Sequence, residues 1–364
     1  MNFRYTFTLE MVQDLMDIEA ARQTVRLTVL PPQLAEELRR QARVRSTHYT
    51  TRIEGNRLTL AEAEEAVLEG RRFPGRERDV REVQNTYRAL QQVETWAERQ
   101  TPVTEDLIRR LHALIERGPC AKATPYRDGQ NVIREASTGA LVYLPPESAD
   151  VPGLMRDLVA WISRAEGEVL PTPVVAGLAH YQFVTIHPFY DGNGRTARAL
   201  ATLLLYRRGY DLGRFTSLEE IYAQDLDAYY GALQTHPHHN TYEGRAEADL
   251  TGWLVYFLRS MAAIFRRVAV EVQAQAAEPR APEPSALRQL DRRARIVLGL
   301  FTHQETLTNN DVAAALGLSP RAARDLTAGW VAESWLEIAD PARKSRRYRL
   351  SAEYRRFVSA LSAE

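Results

Sequence analysis

Apolar residues along this chain recur mostly at three- and four-residue spacings, the mark of one buried helix face. Helices are predicted near residues 9–23 and 32–53, the second entered through Pro31 and Pro32. Thr59-Leu60-Ala61-Glu62 is a capping box opening a helix toward Gly70. Val80, Val83, Tyr87 and Leu90 sit at helical spacing in the next one. Further helices are predicted near 104–117, 151–165, 172–186, 218–234 and 247–272, and the run Ala199, Leu200, Leu203, Leu204, Leu205 belongs to another. One stretch breaks the rule. Between Pro125 and Pro146, short β-prone pieces (Val132-Ile133 and Leu141-Val142-Tyr143) flank a Gly-containing turn, which predicts a hairpin over 125–146. Near the end, residues 308–326 read helix, turn, helix, with Gly317 for the turn, Ser319 as N-cap and Pro320 at N1. Trp335-Leu336-Glu337-Ile338 and Arg346-Arg347-Tyr348-Arg349-Leu350 then alternate as two strands. The class is mainly α.

Composition divides the chain further. With 364 residues, two or three domains and an ample core are expected. Pro279, Pro282 and Pro284 among Ala, Gln and Glu mark a semi-stiff linker over 273–286. Lys plus Arg and Asp plus Glu both number 47, so global charge proposes no polyanionic partner. The single cysteine, Cys120, cannot form an internal disulfide, reads as a small buried apolar group, and fits a reducing, cytoplasmic setting. No stretch approaches the roughly twenty apolar residues of a membrane span, the first residues lack a signal-peptide pattern, and there is no internal repeat.

The densest chemistry lies in His187-Pro188-Phe189-Tyr190-Asp191-Gly192-Asn193-Gly194-Arg195-Thr196-Ala197-Arg198. A Gly-rich turn opening a helix is an anion site, because the first N–H groups lack intrahelical partners and the dipole is positive there. Gly192 and Gly194 let a phosphate approach the backbone. Arg195 and Arg198, three apart, share a helix face and can reach one anion. Asp191 at the mouth is placed to hold Mg²⁺ bridging phosphates. His187 can take a proton near neutral pH. The plain alternative is a common Asp-Gly-Asn-Gly turn beside a core histidine.

The whole run resembles the Fic signature, HxFx(D/E)GNGRxxR, at every specified position. Fic enzymes move AMP from ATP onto a hydroxyl of a target protein. The resemblance implies that His187 is the base, Asp191 the Mg²⁺ ligand, and Gly192, Asn193 and Gly194 the anion hole. Arg195 and Arg198 would grip the β- and γ-phosphates, with Phe189 a core anchor. Thr50-Thr51-Arg52-Ile53-Glu54-Gly55-Asn56 resembles the Fic inhibitory motif (S/T)xxxE(G/N), with Thr50 and Glu54 on one helix face. There the glutamate pairs with the second signature arginine, here Arg198, and keeps it from the γ-phosphate. The 125–146 hairpin resembles the Fic flap, whose edge can take a target segment by strand addition. Tyr230 is expected to contact adenine, with Tyr222 a weaker candidate. Where relatives often carry Gln or Asn a couple of turns on, this chain has Thr235-His236-Pro237-His238-His239, a departure bearing on base contact and nucleotide preference. That His cluster lacks acidic or Cys partners at metal spacing and reads as a solvated loop.

The implied organisation is a helical region over 1–95 carrying the motif at 50–55, a catalytic core over 96–272, the linker, and a winged helix-turn-helix over 287–364. The likeness is strong over about 30–260 and loose beyond. In the tail, Arg321 and Arg324 would face a major groove, and Arg343, Lys344, Arg346 and Arg347 would reach phosphates. From Leu287 on there are thirteen Lys/Arg against nine Asp/Glu, which leaves DNA binding and protein contact both open. The resulting expectation is a self-inhibited adenylyltransferase using ATP and Mg²⁺ on a Ser, Thr or Tyr hydroxyl of an unidentified protein and of itself, assembled as a homodimer. The alternatives are a DNA-binding regulator with a nucleotide-dependent switch, and an enzyme that removes AMP, with Glu54 orienting a water. Phosphate transfer is not expected, since Fic relatives that perform it carry Lys where Gly194 stands.

Overall fold

The computed structural model describes residues 1–134, 139–167, 170–238, 240–277, 290–301, 304–340 and 346–355. The chain divides into two units, Met1–Glu278 and Pro279–Glu364.

The first unit is helical apart from one hairpin. In order come α1 (Leu9–Leu27), α2 (Pro32–Ile53), α3 (Leu60–Leu68), α4 (Glu77–Glu98), α5 (Glu105–Arg117), β1 (Ile133–Arg134), β2 (Leu141–Tyr143), α6 (Val151–Ala165), α7 (Thr172–Ile186), α8 (Asn193–Arg207), α9 (Leu218–Gln224), α10 (Leu226–Leu233) and α11 (Thr251–Ala277). Local sequence sets several starts. Thr8 and Thr104 accept N-cap bonds from Met11 and Leu107, and Thr59 and Glu62 form the expected capping box. On α4, Val80, Val83, Tyr87 and Leu90 are all buried, as their spacing predicts.

At the centre, α7 packs on α8. α7 is apolar all round, which is why it is covered on every side. Gly177 lets α11 come close: a Cβ there would lie 3.0 Å from the Phe257 ring, and Trp253 Nε1 donates to the Gly177 carbonyl at 2.8 Å. Leu200, Leu203 and Leu204 of α8 are fully buried, and each contributes about 1.5–3 kcal/mol. This pair is the rigid mount for the 187–192 loop between them.

Four expectations need correction. The helix over 218–234 is two helices broken at Asp225, whose extended backbone lets its side chain cap Ala228 N–H at 2.9 Å. The last helix of this unit starts at Thr251 and runs to Ala277, so residues 273–277 are helical rather than linker; the rest of the expected linker lies outside the described residues. Regions 1–95 and 96–272 share one hydrophobic core, because α1 packs along α11. Cys120 is exposed, not buried, in the turn after α5. β1 and β2 pair antiparallel, Ile133 with Tyr143, as the hairpin reading requires. Residues 135–138 at its tip lie outside the described residues.

The second unit has α12 (Arg292–Leu300), β3 (Leu307–Thr308), α13 (Asn309–Leu316), α14 (Pro320–Ala332), β4 (Leu336–Asp340) and β5 (Arg347–Leu350). Gly317 takes φ +63° at the turn between α13 and α14, and Ser319 caps α14. The sheet order is β3-β5-β4, antiparallel throughout. The two-residue β3 is an addition to the two expected strands. Trp330, Trp335, Tyr348 and Leu350 fill this unit's own core. Arg321, Arg324 and Arg346 are exposed, whereas Arg343 and Lys344 lie outside the described residues. Among the described residues, no helix is long and apolar enough to cross a membrane.

Candidate active site

α7 ends at His187, whose backbone turns left-handed at φ 51° and ψ 58°. Pro188 cannot extend the helix, and Phe189 plugs the loop into the core, stacked on His112 with ring centroids 3.8 Å apart. Asn193 closes the loop from the other side. Its Oδ1 accepts from Phe189 N at 3.0 Å and its Nδ2 donates to Phe189 O at 2.8 Å. The Asn193 side chain therefore shapes the loop instead of pointing at an anion. Gly192, at φ +73°, is the N-cap of α8, where a Cβ would overlap the Glu116 carboxylate. The N–H groups of Asn193, Gly194 and Arg195 precede the helical ladder, whose first bond runs from Thr196 N to Gly192 O at 3.0 Å, so they have no partner within the helix.

The two arginines of this helix divide between two sets of carboxylates. Arg198 is fully enclosed. Its Nη2 donates to Glu54 Oε1 at 2.7 Å and to Thr50 O at 2.9 Å, and its Nε donates to Thr50 Oγ1 at 2.8 Å. Burial pulls its pKa down, but Glu54 overcomes this and the net shift is upward. Glu54 is the C-cap of α2, followed by Gly55 at φ +91°. The expected one-face pairing of Thr50 and Glu54 thus appears as a clamp on one guanidinium. A Cβ on Gly194 would overlap the Glu54 carboxylate. Arg195 does not share this clamp. It is buried against Glu82, lies 2.9 Å from Glu116 Oε1, and reaches Asp191 Oδ1 at 3.6 Å. Burial pushes the Glu82 and Glu116 carboxyls up, and Arg195 opposes it.

His187 is half-buried, with Nδ1 3.3 Å from Val184 O. That contact assigns the proton to Nδ1 and leaves the Nε2 lone pair for chemistry. Burial is the main cause that lowers its pKa to about 4, so the ring is neutral at physiological pH. Asp191 is largely exposed at the mouth, where its Oδ1 accepts from Gly192 N at 2.7 Å.

Three supports carry no signal in the linear motif. Arg127, buried at the hairpin base, donates to His187 O and Gly129 O, both at 2.9 Å, and to Pro146 O. His112 Nε2 bonds Asp191 O at 2.8 Å. Glu82 lies on the buried side of α4 beside Thr86 and Ala89, and a carboxylate there was the one available hint of a buried cationic partner.

Tyr230 is half-exposed next to this cluster, its hydroxyl 3.4 Å from Ile53 O. Tyr222 is enclosed in the core, stacked on Tyr229 at 4.7 Å, and cannot meet a nucleotide base. Tyr229 instead bonds His180 Nε2 at 3.0 Å and backs Arg198. His236 and His238 stack at 5.2 Å on the surface, and His239 lies outside the described residues. Among the described residues, no three His, Cys, Asp or Glu side chains group as a metal cage. Magnesium bound with substrate phosphates needs only one or two carboxylates, which the exposed Asp191 fits.

Residues 102–205 match the Fic/DOC family. A protein adenylyltransferase Fic from Nematostella vectensis is 30% identical over 201 residues, covering 54% of this chain and 45% of that protein. The protein of the same name from Drosophila melanogaster is 30% identical over 174 residues, covering 47% of this chain and 34% of that protein. The chain thus spans less than half the length of these relatives. A Fic family protein of known structure from Desulfovibrio desulfuricans G20 is 27% identical with a TM-score of 0.60, covering 97% of this chain and 99% of that one. A Fic domain containing signaling protein from Bacteroides thetaiotaomicron, at 22% identity and TM-score 0.62, shares the fold over 74% of this chain and all (100%) of its own. The matched segment holds α5, the hairpin, α7, the 187–192 loop and most of α8. Glu54 and Glu82 lie outside it.

Proposed function

We propose that this chain is a self-inhibited protein adenylyltransferase, transferring AMP from ATP to a Ser, Thr or Tyr hydroxyl of a target protein and of itself. The observation that carries it is the clamp of Glu54 on Arg198, beside a neutral His187 and the N-terminus of α8. In this reading, the target hydroxyl oxygen attacks the α-phosphorus of ATP. A bond forms from that oxygen to phosphorus, the bond to the bridging oxygen breaks, and pyrophosphate leaves. The hydroxyl proton passes to His187 Nε2. The α8 N–H groups stabilise the charge that builds on the phosphoryl oxygens. Asp191 would hold Mg²⁺, which when bound neutralises phosphate charge. Arg198 takes the γ-phosphate once Glu54 releases it. Arg195, enclosed by Glu82 and Glu116, places its positive charge beneath the anion hole.

Tyr230, half-exposed by Ile53 and Glu54, is the adenine contact in this reading. The hairpin serves as the flap that presents the target segment. The second unit is a winged helix, on the order α12, β3, α13, α14, β4, β5. A cytoplasmic homodimer belongs to the same proposal. A pure nucleotide switch is less favoured, because it has no need for a base at 187. The test is ATP labelled separately at the α- and γ-phosphorus. Adenylyl transfer puts only the α label on protein, whereas γ label on protein would contradict it.

A further inference from the structure

Glu54 is not the only residue of its segment that acts on α8. Asn56 lies two positions on, past the Gly55 turn, and is buried. Its Oδ1 accepts from Leu58 N at 3.1 Å. Its Nδ2 donates to Asp79 O at 3.0 Å and to Glu82 Oε2 at 2.8 Å. The other Glu82 oxygen pairs with Arg195. Two chains of contact therefore leave one short segment and end one turn apart on the same helix: Glu54 to Arg198, and Asn56 through Glu82 to Arg195. The Asn56 amide holds one side of the Glu82 carboxylate, which fixes the other side on the guanidinium. Only a donor can do this, because Glu82 offers acceptors alone.

We propose that Asn56 is a positioning residue of the closed state, tying the Glu54 segment to Arg195 through Glu82, so that the latch on Arg198 is braced against Arg195 and loosens when the Asn56–Glu82 bond is lost. This rests on the reading of Glu54 as inhibitory and deepens it. A loop cap alone would need only the bond to Leu58 N. Asn56→Asp separates the two roles. It is nearly isosteric and keeps the acceptor for Leu58, but it sets a carboxylate against Glu82.

The experiment measures incorporation of α-labelled AMP by the full chain, with kcat and KM for ATP and the thermal unfolding midpoint. Asn56→Asp is expected to raise kcat on the order of threefold to tenfold. KM should stay nearly constant, because the closed chain binds ATP unproductively rather than refusing it. In a Glu54→Gly background, Asn56→Asp should add almost nothing, since both changes open the same latch. Should Asn56→Asp fail to fold, Asn56→Ser keeps an acceptor while losing reach to Glu82, and carries the same expectation. A wild-type rate for Asn56→Asp, with Glu54→Gly still activating, would overturn this inference and leave Glu54 inhibition standing. No activation by Glu54→Gly would overturn both. A lower kcat in both backgrounds, with a lower unfolding midpoint, would mean a purely structural Asn56 and also overturn the inference.

Discussion

Arg127 Nε donates to the carbonyl of His187 at 2.9 Å, across sixty positions of sequence. The same guanidinium holds Gly129 O and Pro146 O, so one buried side chain joins both feet of the hairpin to the 187–192 loop. Arg127→Ala would leave three carbonyls, that of Pro146 buried, short of a donor. The expected result is a loss of about 2–4 kcal/mol in stability and of AMP transfer by on the order of tenfold or more. Thermal unfolding and labelling rates check this; unchanged values in both would detach the hairpin from the site.

His187→Ala removes the proposed base. AMP transfer should fall by about 10²–10⁴-fold, while ATP binding by calorimetry persists. Wild-type transfer in that variant would remove His187 from the chemistry.

The pH profile tests the same residue differently. Protonation abolishes a base, and an ordinary imidazole is lost below about 6.5. Burial lowers His187 to about 4, so its base form survives further acidification. Transfer by Glu54→Gly should therefore hold nearly level from neutral pH down to about 5. A fall centred near 6.5 would show that the ring titrates as if exposed.

Metal dependence follows from the exposed carboxylate of Asp191. Chelation of Mg²⁺ should abolish transfer, and Asp191→Ala should lower it on the order of a hundredfold at fixed Mg²⁺. Transfer that is indifferent to chelation would sink the assignment.

The helices and the reactive run were legible because each depends on local order. A 3.6-residue period, a Thr-to-Glu capping box and a Gly-rich helix start are written within a few positions. Asp225 escaped because helical apolar spacing continues on both sides of it, while its side chain prefers to cap. Likewise, β3 is two residues long and exists only through pairing with β5. The site's supports were hidden for a related reason. Glu82, His112, Glu116 and Arg127 act on residues far along the chain, and nothing in their own neighbourhood names the partner. The division of Arg195 from Arg198 was hidden too. Their spacing puts them on one face, but each guanidinium goes where its carboxylates are, and those are set by α2, α4 and α5.

In the second unit, the exposed Arg321 and Arg324 on α14 allow a direct test of DNA contact. If α14 faces a major groove, the full chain binds duplex DNA with steep salt dependence, weakened by Arg321→Ala and Arg324→Ala. No binding at low salt would point to protein contact instead.

The central claim is that Glu54 withholds Arg198 from ATP. Arg198 Nη2 and Glu54 Oε1 meet at 2.7 Å, the guanidinium enclosed and the carboxylate partly exposed, and each 1.4 kcal/mol of that closed state lowers the competent population about tenfold. The most direct measurement is incorporation of α-labelled AMP by the purified chain and by Glu54→Gly, with Arg198→Ala and the Glu54→Gly/His187→Ala pair as controls. Glu54→Gly should label itself on the order of tenfold or more above the wild type. Arg198→Ala should not, because it deletes the phosphate contact along with the clamp, and the paired variant should be silent. Equal labelling by the wild type and Glu54→Gly would contradict the account.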